Sequence, residues 1–189
     1  EVDAGPPVLT GDLPFDDLDD YHFFVGRTAD MQPAPGVVPY QVAAPLWADN
    51  AGKARFIVLP RGGRIAVDGD EGWALPEGSV VIKNFYYGER LLETRLLIRE
   101  AEGWTGHTYV WDEAQAKATR KVAGTRLDLD GQTYIVPNTN QCKNCHELDD
   151  EMRLLGVSTR QLTRVVTRDG VDVAQLAWLG ERLPIDGEP

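Results

Sequence analysis

Short runs of β-branched and aromatic residues, separated by glycine, proline and aspartate, dominate the chain between Arg55 and Val136. Such runs favour strands, and the residues between them favour turns. Because the connections are short, as at Gly88-Glu89-Arg90 and Asp130-Gly131, successive strands should run antiparallel in a sandwich or partly closed barrel. The predicted strands are Arg55–Leu59, Arg64–Val67, Ser79–Tyr87, Leu91–Arg99, Thr105–Trp111, Arg126–Leu129 and Gln132–Val136.

The regions on either side of these strands have a different pattern. Residues 1–54 are rich in proline and glycine, which prevents long regular elements and predicts an irregular wrapping segment. Residues 137–189 contain helical patterns at Ser158–Val166 and Val173–Arg182, which predict a small α-rich appendage. We therefore expect an α+β fold, mainly antiparallel β, in which segments 1–54, 55–136 and 137–189 form one compact unit.

Charge limits the partners that the chain can have. Thirty acidic and nineteen basic residues give a net charge of −11, which disfavours nucleic acid and anionic membrane surfaces. Nine of the acids lie in residues 1–50 with a single base, Arg27, and this acidic segment is either a solvated arm or a docking face for a basic protein. No run approaches the roughly 20 apolar residues of a membrane-spanning helix, so the chain is not expected to cross a bilayer.

The motif Cys142-Lys143-Asn144-Cys145-His146 contains both cysteines of the chain. Two cysteines with two residues between them, followed directly by histidine, are typical of c-type haem attachment. On a helical turn the two thiols lie on one side, where they can add to the vinyl groups of haem, and the imidazole can bind the iron. The motif predicts one covalent haem c, with Cys142 and Cys145 as attachment residues and His146 as the proximal iron ligand.

Three other interpretations of the motif stay open at this stage. A zinc site would need four ligands, and the adjacent Cys145 and His146 are awkward ligands for one ion. A thioredoxin-like dithiol would follow a strand in a βαβ unit, whereas this motif follows a Pro-Asn loop after antiparallel strands. A disulfide between Cys142 and Cys145 would close a very small loop and stabilise little.

The sixth iron ligand has several candidates: His22, His107, Met31, Met152 and, after loss of its ammonium proton, Lys83. Met152 follows His146 by only six residues and would have to fold back from the same side of the haem. Met31 lies in the irregular wrapping segment, where no periodic pattern predicts the direction of a side chain. We predict His107, because a strand can hold an imidazole more firmly than a loop, with Met31 next and an open position third.

Haem attachment also predicts where the protein works and what it does. Attachment of haem c takes place on the periplasmic or an equivalent side of a membrane, and the chain begins at Glu1 without methionine, so a removed signal peptide is expected. The expected role is that of an electron carrier or relay whose redox partner has a basic docking face. The alternatives are a haem enzyme, such as a peroxidase or the haem subunit of a periplasmic dehydrogenase, and a non-haem module with zinc or a disulfide.

The sequence around the motif also resembles a known family. Residues 136–146, VPNTNQCKNCH, with Leu155-Gly156 and Thr159-Arg160-Gln161-Leu162 after them, are similar to the N-terminal, β-rich half of a family of dihaem c-type cytochromes. The resemblance implies an exported electron-transfer protein in which Cys142, Cys145 and His146 form the first haem motif. Similar proteins continue into a second haem domain, so this chain is expected to be a single-haem version, a fragment or one subunit of a larger assembly.

Overall fold

The computed structural model describes residues 7–67, 72–129, 131–138, 140–141, 146–148 and 151–187. Its centre is an antiparallel sheet of six strands. From one edge to the other these are β1 (Val37–Tyr40), β2 (Gly52–Val58), β4 (Val80–Tyr87), β5 (Arg90–Glu100), β6 (Gly103–Trp111) and β7 (Ala118–Lys121).

Smaller elements surround the central sheet. Three antiparallel pairs join β8 (Thr125–Leu129) to β9 (Gln132–Val136), β10 (Glu147–Leu148) to β11 (Glu151–Met152), and β12 (Val165–Arg168) to β13 (Val171–Ala174). Strand β3 (Ile65–Ala66) pairs in parallel with β14 (Ile185–Asp186). The helices described over their whole length are α1 (Thr159–Leu162), α2 (Gln175–Gly180) and the 3₁₀ turns Leu18–Tyr21 and Thr28–Asp30. In the part of the chain that is described, no helix has the length and apolarity needed to cross a membrane.

The prediction of a mainly antiparallel β fold is confirmed. All seven predicted strands are present, and the hairpins form where the sequence predicts them: Tyr87 pairs with Arg90, and Leu129 with Gln132. The sheets of the described residues are open and form no closed barrel.

The central sheet has a hydrophobic core on each face, because successive residues of a strand point to opposite sides. On one face Val80, Ile82 and Leu96 pack against the N-terminal segment, including Leu18 and Tyr21. On the other face Val81 and Leu97 pack against the C-terminal part of the chain, represented by Val157, Leu162, Leu179 and Leu183. The N-terminal and C-terminal segments therefore cover opposite faces of the same sheet.

Hydrogen bonds hold the N-terminal segment in place although most of it is irregular. Tyr21 and Tyr109 are buried, their hydroxyl oxygens lie 3.0 Å apart, and the Tyr109 hydroxyl donates to the carbonyl oxygen of Phe15 at 2.7 Å. The segment is less irregular than predicted, because Val37–Tyr40 forms β1 and pairs with β2. The sequence prediction missed this strand because Pro39 lies within it, on an edge strand where proline is tolerated.

The α-rich appendage predicted at the C-terminus is not seen in the described residues. Its helices are only four and six residues long, and the β12–β13 hairpin takes up parts of both predicted helices. Asp169 and Gly170 both have positive φ, 50° and 78°, which suits the tight two-residue turn of a hairpin. The β-branched residues before this turn favour a strand, and this local signal outweighs the helical spacing.

Gln175 links the C-terminal segment to Gln41, the residue that directly follows β1. Its side chain is fully buried, accepts from the backbone N–H of Gln41 at 2.8 Å, and donates to the carbonyl oxygens of Gln41 and Leu162, each at 2.9 Å. We expect Gln175→Met, which keeps a similar volume, to lower the free energy of unfolding by about 2 kcal/mol because three hydrogen bonds are lost. Urea denaturation measures the change, with exposed Gln132→Met as the control; equal stability of the two variants would contradict this role.

Candidate functional site

A row of positive charges crosses the face of the central sheet that carries the C-terminal core. Arg55 on β2 pairs with Lys83 on β4, and Lys83 pairs with Arg95 on β5. Directly opposed residues of neighbouring strands project from the same face, and like charges in these positions repel each other. Lys53, two residues before Arg55, adds a fourth cation, and its Nζ lies 5.7 Å from the centre of the Phe85 ring. The fold therefore concentrates positive charge here although the whole chain is acidic.

These cations border a cavity of about 250 Å³, which we call the His146 cavity. His146 lines it together with Lys53, Arg55, Lys83 and Arg95. Its apolar wall consists of Leu46, Trp47, Phe85, Leu97, Ile135 and Pro137. The cavity thus combines an imidazole, four cations and an apolar surface with one acid among its described lining residues, Asp49, and this excess of positive charge suits a flat apolar group that carries carboxylates.

The His146 ring is oriented by the β10–β11 hairpin. Its Nδ1 lies 2.8 Å from the carbonyl oxygen of Arg153, and the Arg153 N–H donates to the carbonyl oxygen of His146 at 2.5 Å. Because a carbonyl oxygen only accepts, Nδ1 carries the proton, and Nε2 is the nitrogen with a lone pair for a metal. Burial first, and then the positive charges of Lys83 and Arg95, lower the pKa of His146 to about 4. At neutral pH the imidazole is therefore uncharged, which is the form that binds metals.

Cys142 and Cys145 lie outside the described residues, but the segment that leads into them is described. Asn140 and Gln141 are helical. The side-chain oxygen of Asn138 accepts from the N–H of Gln141, and the side-chain oxygen of Gln141 accepts from the N–H of Asn138, both at 2.9 Å. This reciprocal pair is a capping box, which starts a helix directly before Cys142. The sequence analysis missed it, although Asn followed by Gln three residues later is a visible signal.

His107, the predicted sixth ligand, lies on β6 at the edge of the same cavity. It pairs with Leu96, whereas its neighbour Thr108 pairs with Arg95 on the cavity face. Its Nε2 lies 3.1 Å from the Thr105 hydroxyl, on the opposite side of the sheet. His107 as sixth ligand stays a prediction: a change from a low-spin to a high-spin spectrum in a haem-loaded His107→Ala protein would support it, and an unchanged spectrum would exclude it.

The other predicted ligands lie in different places. Met31 packs into the core on the face opposite the His146 cavity. His22 is exposed at the end of the first 3₁₀ turn, in the same N-terminal segment. Met152 packs against the C-terminal core and borders another cavity beside Trp104. Of the candidates other than His107, Lys83 is the one that lines the His146 cavity.

A buried carboxylate, that of Glu93, contacts two residues that line the His146 cavity, Arg95 and Tyr134. Glu93 on β5 is fully buried and accepts from Nε and Nη2 of Arg95 at 2.8 and 2.5 Å and from the hydroxyl of Tyr134 on β9 at 2.6 Å. Burial and the negative charge of Glu93 raise the pKa of Tyr134, so its hydroxyl remains a donor. No local sequence signal joins Glu93 on β5 to Tyr134 on β9. Only the fold brings these two residues together.

Within the described residues, His, Cys, Asp and Glu side chains form no group of three or more that could hold a metal ion. Cys142 and Cys145 lie outside these residues, and a haem needs only one or two axial ligands from the protein, so this observation tests neither the haem nor the zinc interpretation. No family model, curated protein or solved structure compared with this chain matches it. The resemblance to the dihaem cytochromes therefore stays a prediction.

Proposed function

We propose that this protein is an extracytoplasmic c-type cytochrome that carries one covalently attached haem and acts as an electron carrier or relay. The observation that carries the proposal is the position of His146: the histidine of the haem-attachment motif borders a cavity with apolar and cationic walls. Zinc or a disulfide at Cys142 and Cys145 would not need either kind of wall.

The residues of the motif and those of the cavity have separate roles in this proposal. Cys142 and Cys145 provide the thioether attachments, and Nε2 of His146 binds the iron while Nδ1 is held by the Arg153 carbonyl oxygen. A hydrogen bond from the second ring nitrogen to a carbonyl fixes the tautomer and orientation of a ligating imidazole. Lys83 and Arg95 provide positive charge for the propionate carboxylates. The bound haem would supply the one-electron chemistry, and the apolar wall would limit access of water to it.

Production of the chain in a host that attaches haem c tests the proposal. Covalent haem stays on the polypeptide in a denaturing gel and stains there, and the reduced protein has the sharp visible bands of a low-spin cytochrome. A folded protein without stain, with stoichiometric zinc or with a disulfide, would contradict the proposal. Rapid turnover of hydrogen peroxide would instead favour the haem enzyme.

The proposed partner is a redox protein with a basic face, and the exposed acids of the N-terminal segment support this. Asp16 is paired with Arg120 and Asp17 with Lys117, whereas Asp12, Asp19 and Asp20 are exposed. Exposed charges of this kind act through long-range attraction, which salt screens.

We expect the rate of electron transfer to a basic cytochrome to fall roughly tenfold between about 10 mM and about 150 mM salt, because screening weakens the attraction between the two proteins. Stopped-flow absorbance measures the rate. The double variant Asp19→Asn/Asp20→Asn should show a weaker dependence on salt, and Glu89→Gln, an exposed charge outside the segment, should behave like the wild type. A rate that does not depend on salt would exclude the N-terminal acids as a docking face.

A further inference from the structure

A second cavity, of about 670 Å³, lies beside the His146 cavity between the first two strands and the C-terminal segment. We call it the arginine cavity, because Arg55, Arg164 and Arg168 border it together with Lys53 and Tyr40. No aspartate or glutamate is among the described residues that line it. Four cations without an acid are unexpected in a chain with a net charge of −11.

Backbone carbonyl oxygens, and no carboxylate of a described residue, hold the three arginines in place. Arg164 donates from Nη1 to the carbonyl oxygen of Val42 at 2.6 Å, and Arg168 donates from Nη2 to that of Pro39 at 3.3 Å. Arg55 makes a longer bond, 3.4 Å, to the carbonyl oxygen of Lys53. None of the three forms an ion pair with a described residue, unlike Arg64 or Arg120. Each guanidinium therefore keeps donors that none of the described residues accepts from.

Buried donors at the same place also have no acceptor. The Tyr40 hydroxyl, Nε of Arg164 and Nε of Arg168 are buried and make no hydrogen bond to a described residue. Burial raises the pKa of Tyr40, so the hydroxyl keeps its proton. Burial, with a further contribution from the positive charge of Arg164, lowers the pKa of Arg55. Leaving buried donors and neighbouring like charges uncompensated costs stability, and a bound anion would remove this cost.

We propose that the arginine cavity binds the carboxylate or phosphate group of a small organic anion. Planar guanidinium groups suit the two oxygens of such a group, and the volume is within the range of about 300–1,000 Å³ for small-molecule sites. Leu46 and Trp47 also border the cavity, and their exposed side chains offer apolar surface to the rest of the ligand. The anion has two possible sources, a free metabolite or a haem propionate, because Lys53 and Arg55 border both cavities.

Calorimetric titration with citrate and with inorganic phosphate, at constant ionic strength, tests the proposal. We expect the haem-free double variant Cys142→Ala/Cys145→Ala to bind at least one of these anions. Substitution of Arg164→Gln in that background should weaken binding tenfold or more, because a charged bidentate donor is lost. Arg61→Gln, the same change at an exposed turn outside the cavity, should not alter binding.

The haem-loaded protein identifies the source of the anion. Binding to both forms would indicate a free metabolite, whereas binding to the haem-free form alone would indicate that a propionate occupies the cavity. Thermal unfolding in the same anions provides a second readout, since a ligand that binds only the folded state raises the melting temperature. If Arg164→Gln does not fold, Arg168→Gln replaces it. Absence of binding to both forms, or equal binding by the arginine variants and Arg61→Gln, would overturn the proposal.

Discussion

Replacement of Cys142 or Cys145 by alanine is expected to remove one thioether bond each, and replacement of both should abolish covalent haem completely. In the proposed cytochrome each thiol adds to one vinyl group of the haem, so a single variant keeps one bond and the double variant keeps none. Haem staining of denaturing gels detects the loss. The position of the reduced bands in alkaline pyridine separates haem with two, one or no saturated vinyl groups.

The motif contains its own matched controls. Lys143→Ala and Asn144→Ala change the two residues between the cysteines and should keep full staining, because neither provides a thioether. His146→Ala should keep covalent haem if attachment still proceeds, but its spectrum should change because the proximal ligand is lost. Haem that stays with the denatured double variant would exclude Cys142 and Cys145 as attachment residues.

The second large effect is expected at Glu93 on β5, the strand whose Arg95 borders the His146 cavity. Glu93→Gln keeps the volume of the side chain but removes the charge that Arg95 and Tyr134 contact. Removal of one partner of a buried ion pair typically costs 3–5 kcal/mol. Arg95 is partly exposed, its side chain at 29%, so we expect the lower end, about 3 kcal/mol of the free energy of unfolding. Urea denaturation of the purified protein measures it.

Two further variants separate the contributions at Glu93. Tyr134→Phe removes one hydrogen bond to the carboxylate and should cost about 1.5–3 kcal/mol. The double variant should cost less than the sum of the two, since both changes affect the same interaction. Glu102→Gln is the control, because this glutamate is exposed on the turn between β5 and β6. A Glu93→Gln protein as stable as Glu102→Gln would show that the buried carboxylate contributes nothing.

The Glu93 interaction also links stability to the proposed site. Arg95 contacts Glu93 and also lies 4.4 Å from the centre of the Phe85 ring, so its guanidinium is held between a carboxylate and the aromatic wall of the cavity. Tyr134 attaches the β8–β9 hairpin, and with it the segment that leads to the capping box at Asn138. Loss of Glu93 should therefore disturb the cavity as well as the fold.

The sequence by itself determined the strands and their hairpins, because strand propensity and tight turns are local properties. Two-residue connections such as Gly88-Glu89 leave an antiparallel partner as the only choice. The sequence also predicts haem attachment, because covalent attachment requires two cysteines and a histidine at the spacing of Cys142, Cys145 and His146. At the C-terminus two local signals competed, and the Asp169-Gly170 turn outweighed the helical spacing.

Only the tertiary structure decided which side chains face His146. Alternation along a strand assigns His107 and Thr108 to opposite faces, but it does not say which face the C-terminal segment covers. Packing brought that segment to the face with Arg55, Lys83 and Arg95, and it placed Met31 on the other face. No sequence pattern indicates the arginine cavity either, because Arg55 and Arg164 are more than a hundred residues apart. Contacts over such distances depend on how whole sheets and segments pack, which no local pattern records.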